Sequence, residues 1–253
     1  MPANLLYELA AEFLGTMIIL LFGGGVVAMV QLFGAGSPGE IVNGGYTNIT
    51  LGWGLAVMMG VAVSAKVSGA HLNPAVTLSV AIFRGFSWAK VAPYMLAQMA
   101  GAFCGAALVF LNYRPAFLKQ DPGLDHTAGV FCTFPAFPDV PSAGFIDQVL
   151  GTALLLFLVM ALTDENNLNA PSWLTPILVG SIVVAIGISF GGLHGYAINP
   201  ARDLGPRLFT VVAGFKNNGL TDGASAWMIP FFAPFLGGIV GTAAYDFTIR
   251  KAL

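Results

Sequence analysis

Asn199-Pro200-Ala201-Arg202 follows the polar, glycine-containing segment Gly191-Gly192-Leu193-His194-Gly195-Tyr196-Ala197-Ile198. A shorter copy, Asn73-Pro74-Ala75, stands 126 residues earlier, behind Val67-Ser68-Gly69-Ala70-His71-Leu72. Each copy reads as a helix start. Asn is a favoured N-cap because its side-chain oxygen accepts from a backbone N–H that would otherwise lack a partner, and proline fits next because it has no N–H to lose. With the oxygen so used, the NH2 groups of Asn73 and Asn199 are expected to be free and to point outward. Capping alone explains one such tripeptide; two copies in matching places of two similar halves ask for more.

The chain has 253 residues, of which 57% are hydrophobic and only 9% charged, with a mean hydropathy of +0.80. A soluble domain of this size exposes far more charge, so an integral membrane protein is expected. The net charge of -2 and the scattering of the ten basic residues exclude a nucleic-acid partner. The start, Met1 to Glu8, has no basic segment and no small-residue cleavage site, so the first apolar span is read as part of the mature protein. Cys104 and Cys132 are too few for a disulfide framework, and they lack metal-ligand spacing. His71, His126 and His194 are too dispersed for a metal site, His126 and His194 being read as loop residues. Neither a metal nor a cofactor is implied.

The absence of charge between Glu12 and Glu40 leaves room for a first span over about Phe13 to Phe33, near the ~20 residues a bilayer core demands. A glycine-rich loop is expected over Gly34 to Asn48 and a second span over Ile49 to Ala65. The apolar run Ala75 to Phe83 is about half long enough to cross, so it must enter and stop. A third span is expected over Val91 to Tyr113, a long connection over Arg114 to Gly144, and a fourth span over Phe145 to Leu162. The fifth lies within Asn166 to Ala201; the second half-span starts at Asn199 and is expected to break off at Pro206 and Arg207. The polar loop Lys216 to Ser225 and a sixth span, Trp227 to Phe247, complete the chain. Lys66 reads as a snorkelling or vestibule residue.

Glu12-Phe13-Leu14-Gly15-Thr16 is echoed by Gln148-Val149-Leu150-Gly151-Thr152, and Gly101 with Gly105 by Gly237 with Gly241, both at an offset of 136. The small-residue spacing lets helices approach closely in lipid. The order helix, helix, half-helix, helix thus occurs twice, over about 1–113 and 144–253, joined by a connection over 114–143. Three full spans per repeat is an odd number, so the second half enters from the opposite face: six transmembrane helices plus two re-entrant half-helices in one all-α domain of two inverted repeats. Arg84, Lys90, Arg250 and Lys251 fall on one side and Arg114, Lys119 and Lys216 on the other, a small excess that points to cytoplasmic termini.

The irregular segments before Asn73 and Asn199 lie at membrane depth, where only protein or a water-filled cavity can receive them. Inverted symmetry brings both half-helix N-termini to the midplane, where their positive ends hold an oxygen acceptor and repel cations. Arg202 opposes the dipole of its own helix and carries a desolvation cost of ~2.5 kcal/mol or more at that depth, which fits a donor fork and positive barrier better than an interfacial anchor.

The paired Asn-Pro-Ala, with Arg202 after the second copy, resembles the aquaporin or major intrinsic protein family, and Asp203 together with Gly129-Val130-Phe131-Cys132-Thr133-Phe134-Pro135 resembles its glycerol facilitator branch. The resemblance covers nearly the whole chain. It implies a passive channel for glycerol, other small neutral solutes and water, a homotetramer in the bilayer, a constriction built from four positions besides the motif, and a plasma (inner) membrane location. Those positions are Trp53, Gly187, Tyr196 and Arg202. Water-selective relatives have His at the position of Gly187 and a small residue at that of Tyr196; here Gly leaves space, and Trp53 and Tyr196 are expected to form an apolar corner opposite Arg202. The pore-lining backbone implied is Ala70, His71, Leu72, Gly195, Tyr196 and Ala197, braced by Glu12 and its counterpart.

Two departures stand out. Gln148 replaces the second bracing acid, although its amide oxygen can still accept, and Tyr196 stands where Phe is usual, so that its hydroxyl could narrow or polarise the opening. A water-selective channel is the alternative, disfavoured by Gly187, Tyr196 and Asp203. A coupled transporter would need a relay for its driving ion, and Glu12 at the head of the first expected span does not by itself make one. An enzyme would need paired carboxylates, an activated nucleophile or a metal cluster, none of which the sequence offers.

Overall fold

The computed structural model describes residues 3–33 and 44–253. In chain order the helices are α1 (Ala3–Leu32), α2 (Gly45–Ser68), α3 (Pro74–Phe83), α4 (Trp88–Gln120), α5 (Pro141–Thr163), α6 (Thr175–His194), α7 (Pro200–Ala213) and α8 (Met228–Tyr245), the last passing into a π-helical turn, Asp246–Arg250. Among the described residues, six helices are long and apolar enough to cross a membrane; α3 and α7, of 10 and 14 residues, are not.

α1 packs on α2 and α4, and α5 packs in the same way on α6 and α8. The halves join through α2 against α6, and each half-helix lies on the other half's last long helix, α3 on α8 and α7 on α4. The repeated glycines permit this closeness. A Cβ on Gly101 would run into the Phe13 backbone, and one on Gly241 into the Ala153 backbone, so the α1–α4 and α5–α8 contacts are backbone to backbone.

Several boundaries differ from the sequence reading, in most cases because a partner absorbs what looked like a terminator. α1 begins well before Phe13: Glu8 accepts from Lys90 Nζ at 2.7 Å and from the Tyr94 hydroxyl at 2.9 Å, and Glu12 is fully buried and fully partnered. α4 runs through Pro93 and Pro115 to Gln120 instead of stopping at Tyr113. A proline inside a helix costs ~3 kcal/mol, and here Phe117, fully buried among Phe110, Phe131 and Phe215, ties the extra turns down. α5 starts at Pro141, a favoured first helical residue. The connection expected over 114–144 therefore shrinks to 121–140.

α7 likewise continues through Pro206 and Arg207 to Ala213. Arg207 is neutralised by Asp203 one turn earlier, at 2.8 Å, so its charge does not end the helix. The part of the glycine-rich connection expected over 34–43 lies outside the described residues; 45–48 already belong to α2.

Candidate functional site

Both Asn-Pro-Ala copies cap helices as expected. Asn73 Oδ1 accepts from Ala75 N at 2.9 Å, and Asn199 Oδ1 accepts from Ala201 N at 3.0 Å and from Arg202 N at 3.2 Å. Their NH2 groups, however, are not free. Asn73 Nδ2 donates to the Ile198 carbonyl at 2.9 Å, and Asn199 Nδ2 to the Leu72 carbonyl at 2.8 Å. Each cap thus binds the opposite half, a link that no reading of one half alone can contain. An amide has two N–H donors, so each Asn keeps one for the lumen.

The segments ahead of the caps repeat an unusual backbone. Ala70 and Leu72 have φ of 52° and 51°, and Tyr196 and Ile198, at the matching places, 36° and 44°. Left-handed conformations of non-glycine residues cost on the order of 1–3 kcal/mol each and persist only when surroundings over-determine them. Glu12 does so in the first half: it accepts from His71 N at 2.9 Å, Leu72 N at 2.7 Å, Ser68 Oγ at 2.6 Å and Gln98 Nε2 at 2.7 Å. In the second half Gln148 accepts from Ile198 N at 2.9 Å and donates to the His194 carbonyl at 2.9 Å. The neutral amide therefore braces the loop through its oxygen and adds a donor that a carboxylate lacks. With the N–H groups held from behind, carbonyl oxygens are what these segments have left to turn to the other side.

That side is a cavity of about 530 Å³. Ala70, His71, Leu72 and Asn73 line it from one half, Tyr196, Ala197, Ile198, Asn199 and Arg202 from the other, with Trp53 and aliphatic residues such as Val57, Val80 and Leu155 between. It extends past the C-terminal end of α3 to Arg84, Asp164 and Arg250. Toward the other face the lining stops at Trp53, Tyr196 and Arg202. Pro74, Ala75, Pro200 and Ala201 stand behind the wall as helix starts, and Gly195 is the left-handed cap of α6, near Thr133. Lys66 is exposed on the last turns of α2, away from the lining.

The Thr77 hydroxyl donates to the Asn73 carbonyl at 3.1 Å and accepts from Gln98 Nε2 at 3.0 Å. His71 Nδ1, 3.2 Å from the same oxygen, must then be the donor, which leaves Nε2 as the ring's acceptor.

The four positions expected to form a constriction come together in pairs, but not in the expected arrangement. Arg202 does not face Trp53 across an opening: its guanidinium carbon sits 4.0 Å from the centre of the Trp53 ring, drawn over the negative ring face. Gly187 does not border the lumen either. A Cβ on it would lie 2.8 Å from Cζ of Tyr196, so the space that Gly leaves is taken by the hydroxyl end of that ring. The Tyr196 hydroxyl consequently points away from the lumen, fully buried and without a hydrogen-bond partner among the described residues. Tyr46, which sequence reasoning passed over, donates its hydroxyl to the Gly187 carbonyl at 2.9 Å.

Other residues were missed as well. Gln98 could have been suspected as a lone amide in an apolar span, and Ser68 by its place in the first polar segment. His194, read as a loop residue, ends α6 with no exposed surface, its Nδ1 3.3 Å from Thr133 Oγ1. Arg202 Nη1 donates to the Phe131 carbonyl at 3.2 Å, which brings the long connection into the site. In that connection burial pushes the Cys132 thiol up to about 12.

Irregular backbone at membrane depth is admissible only against protein or beside a water-filled cavity, and here one side of it meets Glu12 or Gln148 while the other lines a passage. That places the molecule among membrane channels. The chain belongs to the major intrinsic protein family, whose model matches residues 2–245. It is 44% identical over 243 residues to Aquaglyceroporin-2 of Rhizophagus irregularis, covering 93% of this chain and 75% of that one. To Glycerol uptake facilitator protein 3 of Lactiplantibacillus plantarum it is 43% identical over 247 residues, 97% and 98% of the two chains. The X-ray structure of the aquaglyceroporin from Plasmodium falciparum superposes with a TM-score of 0.86 at 32% identity over 98% of both chains. The fold is the aquaporin fold.

Proposed function

We propose that the protein conducts glycerol and other small neutral solutes, with water, down their own gradients, and excludes ions and protons. The observation that carries this is the mixed wall of the cavity, in which turned backbone and the Asn73 and Asn199 amides from both halves alternate with aliphatic side chains and the Tyr196 ring. A polyol has hydroxyls to give to the first and CH groups to lay on the second. The relatives named for glycerol uptake support the same reading. Arg202 and the opposed N-termini of α3 and α7 supply the barrier to cations. A purely water-selective channel fits less well, because an apolar wall offers water nothing.

Trp53, Tyr196 and Arg202 form the constriction in this reading, with Gly187 setting the position of Tyr196. The chain acts as one channel domain of two repeats, about 1–113 and 144–253, and as a homotetramer in the plasma (inner) membrane with cytoplasmic termini. Stopped-flow light scattering on proteoliposomes tests the function. Rapid re-swelling is expected under a glycerol gradient and none under sucrose. Accumulation of glycerol against its gradient when a proton or sodium gradient is imposed would refute passive conduction.

A further inference from the structure

Arg207 takes no part in the cavity wall, yet it is a cation with no exposed surface inside a membrane protein. All its nitrogens are committed. Nε donates to Asp203 Oδ1 at 2.9 Å, Nη1 to the Asn218 carbonyl at 2.8 Å and Nη2 to the Thr133 carbonyl at 2.6 Å. The other oxygen of Asp203 accepts from Thr133 N at 2.7 Å and from its hydroxyl at 2.9 Å. Because that hydroxyl hydrogen goes to a carboxylate, His194 Nδ1 must donate to Thr133 Oγ1. Thr133 is thus held at its N–H, its carbonyl and its side chain.

Two residues earlier, the Phe131 carbonyl accepts from Arg202, and the Phe131 ring is stacked on Phe117 with centroids 5.5 Å apart. A buried ion pair is a poor device for stability, since well-packed apolar side chains often serve as well or better. What apolar side chains cannot supply is a directional hold on a backbone. We infer that Arg207 is a positioning residue: through Asp203 and Thr133 it fixes residues 131–133 in the register at which the Phe131 carbonyl restrains Arg202, and so sets the geometry of the constriction. This rests on the reading of Arg202 as part of the constriction.

The test is the ratio of glycerol to water permeability in proteoliposomes, with the melting temperature in detergent measured alongside. Arg207→Met alone strands the Asp203 charge and endangers folding, so it is paired with Asp203→Asn, which removes both charges together. In the double variant the ratio should fall about tenfold with water flux little changed, the scale of one misplaced hydrogen bond at a constriction. Arg207→Lys, which can still reach Asp203 and the Thr133 carbonyl, should restore most of the ratio. In an Arg202→Val background the double change should leave the ratio where Arg202→Val alone puts it. An unaltered ratio in the double variant, when Arg202→Val alters it, overturns the positioning role alone. A tenfold fall that persists without Arg202 also overturns it, assigning the pair to structure. An unaltered ratio in Arg202→Val overturns the constriction reading and the positioning role together.

Discussion

Gly187→His combined with Tyr196→Cys tests the constriction at its most exposed step. The two positions cannot be changed independently: a Cβ on Gly187 would lie 2.8 Å from Cζ and 2.9 Å from Cε2 of Tyr196, and 3.1 Å from Cγ2 of Thr50. Carbon atoms settle at about 3.5–4.0 Å, so His at 187 with Tyr196 retained should be overpacked, at a cost of about 1–3 kcal/mol in stability. Removing the ring in the same molecule frees that space for the imidazole and takes away the apolar wall. Burial of a CH2-sized group is worth about 0.8 kcal/mol, so a three-carbon polyol loses at most about 2.4 kcal/mol of contact. That corresponds to about sixtyfold in rate, before the bulk of the imidazole is counted. Water carries no carbon and should slow far less. The assay is stopped-flow permeability to glycerol and to water on the same vesicles, normalised to protein inserted. Glycerol permeability at the wild-type level in the folded double variant would refute the placement of Tyr196 and Gly187 at the constriction. Additive stability losses in the two single variants and the double would refute the packing that links them.

The reciprocal caps give a second expectation: Asn73→Asp or Asn199→Asp keeps the capping oxygen but sets a negative oxygen against the Ile198 or Leu72 carbonyl and offsets the positive helix ends. Cation leak measured by vesicle potential dyes should rise and glycerol flux should drop; tight, fully active channels in both variants would exclude these residues from the lumen. Gln148→Glu replaces a donor facing the His194 carbonyl by an acceptor, so the melting temperature in detergent should fall by the equivalent of about 1–3 kcal/mol, and a stabilised variant would contradict the bracing geometry. Outside the membrane, burial alone would raise the Asp121 carboxyl, but backbone N–H groups of His126, Asp125 and Thr127 and the Thr127 hydroxyl outweigh it and hold the group below its usual value. A depressed folded value means that its contribution is present above the unfolded value of about 3.9 and is lost as pH falls below that, through the folded one. Hydrogen exchange at residues 124–133 should therefore accelerate only under that acidic condition, and acceleration already at pH 6 would point to another group.

The architecture was legible because its signals are local: an Asn-Pro start, an apolar run of spanning or half-spanning length, and glycines at fourfold spacing need no partner to be recognised. Helix ends were not, since Glu8 and Glu12 look like terminators until their partners in other parts of the chain are known, and Arg207 until its pairing with Asp203 one turn earlier is. The same distinction runs through the site. That Gln148 could brace the second loop follows from its oxygen, whereas the donation from Asn73 to Ile198 depends on a residue 125 positions away. The orientation of the Tyr196 hydroxyl, the stacking of Arg202 on Trp53 and the burial of His194 are settled by packing between elements, for which sequence spacing holds no information.

Under the 126-residue offset that relates the motifs, Asn73 and Ile198 exchange with Asn199 and Leu72, so their bonds are related as contacts across a two-fold interface are, and Gly54 meets its own counterpart, Gly180. The turned backbone obeys this symmetry and the side chains of the proposed constriction break it. The counterparts of Trp53, Gly187, Tyr196 and Arg202 are Val179, Val61, Ala70 and Val76, all aliphatic and all lining the cavity. A solute crossing in either direction therefore meets the same two backbone segments in reversed order, but under the proposed constriction it is sorted only once, at the mouth where the duplication has diverged.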